Sequence, residues 1–149
     1  MGNLYEYFAA ADDATAAAVV HGGAQAAGLD SLGGLKGADP VILLATLEAL
    51  LRGVDYEVVS TTPRHCDLLA ESSEDGPWVV TLTDTLRDAL AEASEATLSE
   101  VAVPWSKADE FGDGPPDLVA LLVDFLGRLA ALARTAAARE DSLYCWMSL

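Results

Sequence analysis

A chain of 149 residues with 52% hydrophobic side chains is long enough to bury a sizeable core and too apolar for the disordered class. Eight basic side chains stand against 24 acidic ones, a formal net charge of −16, with the acids spread along the chain rather than gathered in a tail. Nucleic-acid affinity comes largely from cationic side chains displacing counterions, so this balance argues against DNA, RNA and anionic membrane surfaces, and it admits a basic protein partner.

No apolar run approaches the roughly 20 residues of a membrane span. Met1-Gly2-Asn3-Leu4 lacks the basic flank and apolar stretch of a signal peptide, so a cytoplasmic location is expected. Cys66 and Cys145 belong to no paired motif and read as free thiols, Cys145 in the core. Solubility or adaptation to high salt is the plain alternative account of the charge.

In chain order, Leu4-Tyr5-Glu6-Tyr7-Phe8 has strand character. Asp12 or Asp13 then caps a short helix toward His21, closed by Gly22-Gly23. Gly28 to Gly37 reads as a glycine-rich loop. Asp39-Pro40 opens a helix with Val41, Leu44, Leu47 and Leu51 at helical spacing, and Gly53 suits its end. Tyr56-Glu57-Val58-Val59 reads as a strand or as a frayed extension of that helix, and Cys66 to Ala70 as a short strand or a single turn. After Gly76-Pro77, Trp78 to Leu82 alternates as a strand, and Thr83 or Asp84 caps a helix that ends near Ser94. Ala96 to Pro116 is expected to be an irregular connection. The last helix starts near Pro116-Asp117, with Leu118, Leu121, Leu122, Phe125, Leu129 and Leu132 on one face. Leu143 to Leu149 is apolar on both faces, as an interior strand is. The expected fold is one α+β domain, residues 1–149. A small mixed sheet, with first and last strands interior, is packed by about four helices.

This order resembles the YfbM-like family of uncharacterised bacterial proteins. The likeness rests on Met1-Gly2 before an aromatic strand ending Tyr7-Phe8, on Gly76-Pro77-Trp78 through Leu82-Thr83 leading into a helix, on Pro104-Trp105 before an acidic loop, and on the long helix ending in the Leu143–Leu149 strand. The chain departs from the family in lacking a helix with a central Trp. The resemblance implies a fold and no activity.

Motifs that carry chemistry are sparse. No Gly-x-Ser-x-Gly elbow occurs, and Gly33-Gly34-Leu35-Lys36-Gly37 lacks the spacing and following hydroxyl of a phosphate loop. His21 and His65 have no ligand partner at i+3 or i+4, and Asp109 to Gly114 lacks the alternating oxygens of a calcium loop. No metal site and no cofactor is therefore expected. Glu6 is the one carboxylate in an apolar strand; a proton-accepting role in a pocket and a structural pairing with Arg64 or Arg128 are both open. Trp105, followed by Asp109, Glu110 and Asp113, is either an interface anchor with an acidic rim or a plug packing the long helix onto the sheet. The expected function is a non-enzymatic interaction module for a basic partner, of which an immunity protein masking a toxin is one version, with Trp105, Asp109, Glu110 and Asp113 as its binding residues. The alternative is a small-molecule-binding protein or enzyme with a pocket near Glu6, His65 and Cys66.

Overall fold

The computed structural model describes residues 4–33 and 39–148. Strands β1 (Leu4–Ala10), β2 (Ser31–Gly33), β3 (Leu68–Glu71), β4 (Trp78–Thr81) and β5 (Ser142–Ser148) form one sheet in the order β2-β1-β5-β4-β3. Every pairing is antiparallel, so the sheet is not the mixed one expected. The first and last strands do lie inside it as neighbours, from Leu4 opposite Ser148 to Ala10 opposite Ser142. Tyr7 to Ala10 of β1 and Leu143 to Cys145 of β5 are buried on both faces, and a central position is where such segments lose the most surface to the interior.

The period of two divides the side chains between two layers. Tyr7, Ala9, Val80, Leu143 and Cys145 face one side. There they meet α2 (Leu43–Arg52), α4 (Asp84–Glu92), α5 (Glu95–Trp105) and α6 (Leu118–Ala138). Phe8, Ala10, Val79 and Tyr144 face the other side, against α1 (Asp13–Ala17) and the turn through Val19, Val20 and Ala24. The fold class is α+β, with the 21-residue α6 as its longest helix.

Capping at Asp12, Asp39 and Thr83 follows the sequence, whereas Ser94, read only as a helix end, also opens α5. Asp12 accepts from the Thr15 amide, Asp39 from the Ile42 amide, Thr83 from the Leu86 amide and Ser94 from the Thr97 amide. Gly53 ends α2 in the left-handed region at φ 66°.

Three segments differ from the sequence expectation. Tyr56–Ser60 is helical, here α3, and not a strand. Only Val59 of it is buried, and the Thr61 and Thr62 hydroxyls donate back to the Glu57 and Val58 carbonyls, so local bonds override the strand preference of its valines. The connection from Ala96 is mostly α5, because Leu98, Ala102 and Trp105 recur at helical spacing on its buried face and Pro104 sits in the last turn. Within the glycine-rich stretch, Ser31–Gly33 pairs with β1 as an edge strand. Of the phosphate-loop lookalike only Gly33 is described, and its Gly34 to Gly37, like Met1-Gly2 and Leu149, lies outside the described residues. No helix among the described residues is long and apolar enough to cross a membrane.

Candidate functional site

Among the residues that the sequence reading passed over, Glu48 has the most telling environment. It lies on the apolar stripe of α2 beside Leu44 and Leu47 and is only 1% exposed. A buried carboxylate is tolerated when its oxygens are bonded. Here the Thr83 hydroxyl donates to one oxygen, and the Thr85 hydroxyl and Arg52 guanidinium donate to the other, each at 2.7 Å. Thr83 thus performs two tasks, since its oxygen also accepts from the first turn of α4. The sequence signal was available: position 48 falls in register with Leu44 and Leu51, and Arg52 follows one turn later.

Glu48 floors a small cleft with Pro40, Leu44, His65, Cys66 and Leu82 among its walls. The segment bearing His65 and Cys66 is sharply bent, with Arg64 at φ 73° and Cys66 at φ 51°. Non-glycine residues pay strain energy in that region and hold it only when their surroundings fix them. Thr81 supplies the fixing: its hydroxyl donates to the Arg64 carbonyl and accepts from the Asp67 amide, while its backbone pairs with Cys66 and Asp67. The cleft encloses about 10 Å³, room for a single water-sized sphere. Substrate pockets run to about 300 Å³ and more. Burial, reinforced by Asp39 and Asp67, pushes the Cys66 thiol up to about 12, so it is protonated near neutral pH and is not an activated nucleophile.

Glu6 is not part of this cleft. It points to the opposite face of the sheet, where its carboxylate accepts from the Ala24 amide beneath Trp146 and against Gly23. A Cβ at Gly23 would stand 3.2 Å from the Glu6 oxygen, and φ there is +86°, so this turn requires glycine on both counts. Its bond is to backbone, not to Arg64 or Arg128 as the sequence suggested. The expected pocket joining Glu6 to His65 and Cys66 is therefore corrected: the sheet separates them.

Arg64 joins three elements on that same opposite side. Its guanidinium donates to both oxygens of Asp13 at 2.9 and 3.2 Å and lies 5.7 Å from the centre of the Tyr144 ring. The Tyr144 hydroxyl donates to Asp13 at 2.8 Å. These bonds hold the Asp13 carboxyl below its ordinary range, the Arg64 bond first and the Tyr144 bond second. Burial, with Asp13 beside it, raises Tyr144 to about 12. The group works as a clasp between α1, the 61–67 loop and β5.

Trp105 resolves into the plug, and its reading as an interface anchor is corrected. It is 0% exposed, donates from Nε1 to the Leu43 carbonyl at 2.9 Å, stacks on Phe125 and meets Phe111 edge-on. Asp109 and Glu110 lie in a 3-10 turn (Asp109–Phe111), with Asp113 just beyond, and all three carboxylates are exposed. Phe111, half-buried on Trp105, anchors this turn from below. Trp105, Asp109, Glu110 and Asp113 thus adjoin, but only the acids face water.

The arginines are engaged within the chain, while many exposed carboxylates are not. Arg52, Arg64, Arg87, Arg128 and Arg139 each pair with a carboxylate, and Arg134 spends its guanidinium on the Ala91 and Ala93 carbonyls. Exposed acids such as Asp55, Glu57, Glu71, Glu74, Asp75, Glu95, Glu100, Asp109, Glu110 and Asp113 have no cation within ion-pair distance among the described residues. Two open surface grooves of about 410 Å³ lie elsewhere, one between β2 and α6 and one between α2 and α4. Among the described residues no three metal-ligating side chains converge. No protein-family model, curated protein or solved structure matches this chain.

Proposed function

We propose that this chain is a non-catalytic binding protein whose anionic exterior receives a basic protein partner, in the manner of an immunity protein masking a cationic toxin. One observation carries the reading: the arginines are consumed by bonds within the fold, which leaves a surplus of unneutralised carboxylates on the outside. Such a field accelerates encounter with a cationic surface and repels copies of itself. The exposed Asp109, Glu110 and Asp113 contribute to it. The resemblance to the YfbM-like proteins adds a proposed common fold and no activity.

The test is affinity capture at low salt, followed by titration of the purified binder at two ionic strengths. A basic binder whose affinity falls at least about tenfold between 50 and 500 mM salt is expected, because the Debye length shrinks from about 14 to about 4 Å. Recovery of neutral or acidic binders alone, or a complex indifferent to salt, overturns the proposal.

A further inference from the structure

The groove between α2 and α4 holds two opposite charges that do not bond to each other. Leu51 and Arg52 at the end of α2, Ala89, Glu92 and Ala93 at the end of α4, and Thr97 in the first turn of α5 line it together. Its volume of about 410 Å³ falls among those of small-molecule sites. Arg52 and Glu92 share this lining and form no ion pair with one another.

Arg52 is a fixed donor. Its Nη1 is held at 2.7 Å by Glu48, a carboxylate only 1% exposed that Thr83 and Thr85 also bind. A guanidinium carries five N–H groups in a rigid fork. The edge formed by Nε and Nη2 bonds to no described residue, and 28% of the side chain is exposed. Glu92 is exposed and has no cationic partner among the described residues. The Ala91 and Ala93 carbonyls beside it in sequence are already taken by Arg134, which leaves the Glu92 carboxylate as the acceptor at this end of α4. Leu51, Ala89 and Ala93 add apolar lining.

We propose that this groove binds a small zwitterion with a short apolar side chain, its carboxylate on the Nε–Nη2 edge of Arg52 and its ammonium on Glu92. Charge selects this class. A simple anion finds Arg52 but meets Glu92 and the field of a chain carrying −16, and a simple cation finds Glu92 but meets Arg52. A free α-amino acid is neutral overall and satisfies both groups. Because Glu48 already holds Arg52 in place, little ordering remains to be done on binding. This site is independent of any basic protein partner.

Its test uses the full chain, isotopically labelled. It is titrated with L-leucine, with isocaproate, which lacks the ammonium, and with isoamylamine, which lacks the carboxylate. Amide shifts at residues 51–53, 89–93 and 97 are expected for leucine, with either analogue binding about fivefold more weakly. Glu92→Gln alters an exposed side chain with no ion pair in the fold, so folding is retained. It should weaken leucine about fivefold and leave isocaproate unchanged or tighter. Arg52→Lys keeps a cation for Glu48 but loses the fork, and should weaken leucine and isocaproate together. Isoamylamine binding as well as leucine, or leucine unmoved by Glu92→Gln, would reveal only the general attraction of cations to an acidic surface and overturn the proposal. Shifts centred elsewhere, or none up to about 50 mM leucine, would overturn it too. In each of those cases salt-sensitive capture of a basic protein is still expected.

Discussion

Replacing Trp105 with Ala separates a structural plug from an interface anchor. A fully buried Trp hides about 150–250 Å², which at about 25 cal/mol per Å² gives roughly 4–6 kcal/mol, of which the remaining Ala methyl recovers a part. Measured aromatic-to-Ala losses of about 3–5 kcal/mol agree with that scale. The Nε1 bond to Leu43 adds about 1 kcal/mol, and the edge and stacked contacts with Phe111 and Phe125 add about as much again. With the Ala share of about 1 kcal/mol removed, the sum is about 5–7 kcal/mol, an upper bound because the unfolded chain already hides some surface. A loss of about 5 kcal/mol is therefore expected, lowering Tm by roughly 10–20 °C for a chain of this size. Trp105→Phe keeps most of the volume and should lose about 1–2 kcal/mol. Urea unfolding followed by far-UV circular dichroism measures both. A Trp105→Ala protein within 1 kcal/mol of wild type that has lost its partner would refute the buried-plug assignment.

Glu48→Ala leaves the buried Thr83 hydroxyl without its acceptor, frees Arg52 and opens a void; a loss of about 2–4 kcal/mol in urea unfolding is expected, and a neutral outcome would contradict the burial. The Asp13 carboxyl is depressed in the folded state, so its contribution is complete above its unfolded value near 3.8 and fades as pH falls through the lower folded value. Asp13→Asn should accordingly flatten the acid limb of the stability curve below about pH 4, and an unchanged limb would show the Arg64 clasp to be electrostatically idle. Cys66, raised to about 12 by burial and by Asp39 and Asp67, should alkylate slowly with iodoacetamide at pH 7 and faster only in strong alkali. Rapid labelling at neutral pH, followed by mass spectrometry, would count against that environment.

Features that depend on spacing within one element were legible in the sequence. The caps at Asp12, Asp39 and Thr83, the Gly53 stop, the long last helix and the last strand, apolar on both faces, all follow from local chemistry and periodicity. What failed was weighting. The stretch from Ala96 read as an irregular connection although Leu98, Ala102 and Trp105 recur on one helical face, and Tyr56 to Val59 read as a strand or a frayed helical extension where a separate short helix, α3, forms. The site was less legible because burial is a property of the assembled fold. Trp105 and the acids after it look alike on paper whether the ring faces water or Phe125. Glu6 and His65 were grouped because each was solitary in sequence, and only the pleat, which sends Glu6 toward Ala24, parts them. Glu48 was hidden by its neighbours' regularity, since a helix stripe of leucines draws the eye past one carboxylate.

The position of β5 has a consequence for the order of assembly. It is the last sheet strand to be synthesised, yet it joins the β1–β2 pair to the β3–β4 hairpin. Until it emerges from the ribosome, the two half-sheets have no common edge and the sheet lacks its central strand. Joining residues from opposite ends of the chain also means closing a very long loop before any reward is received, which sets a slow tempo for refolding. Stalled or shortened chains of this protein are therefore the forms in greatest need of a chaperone.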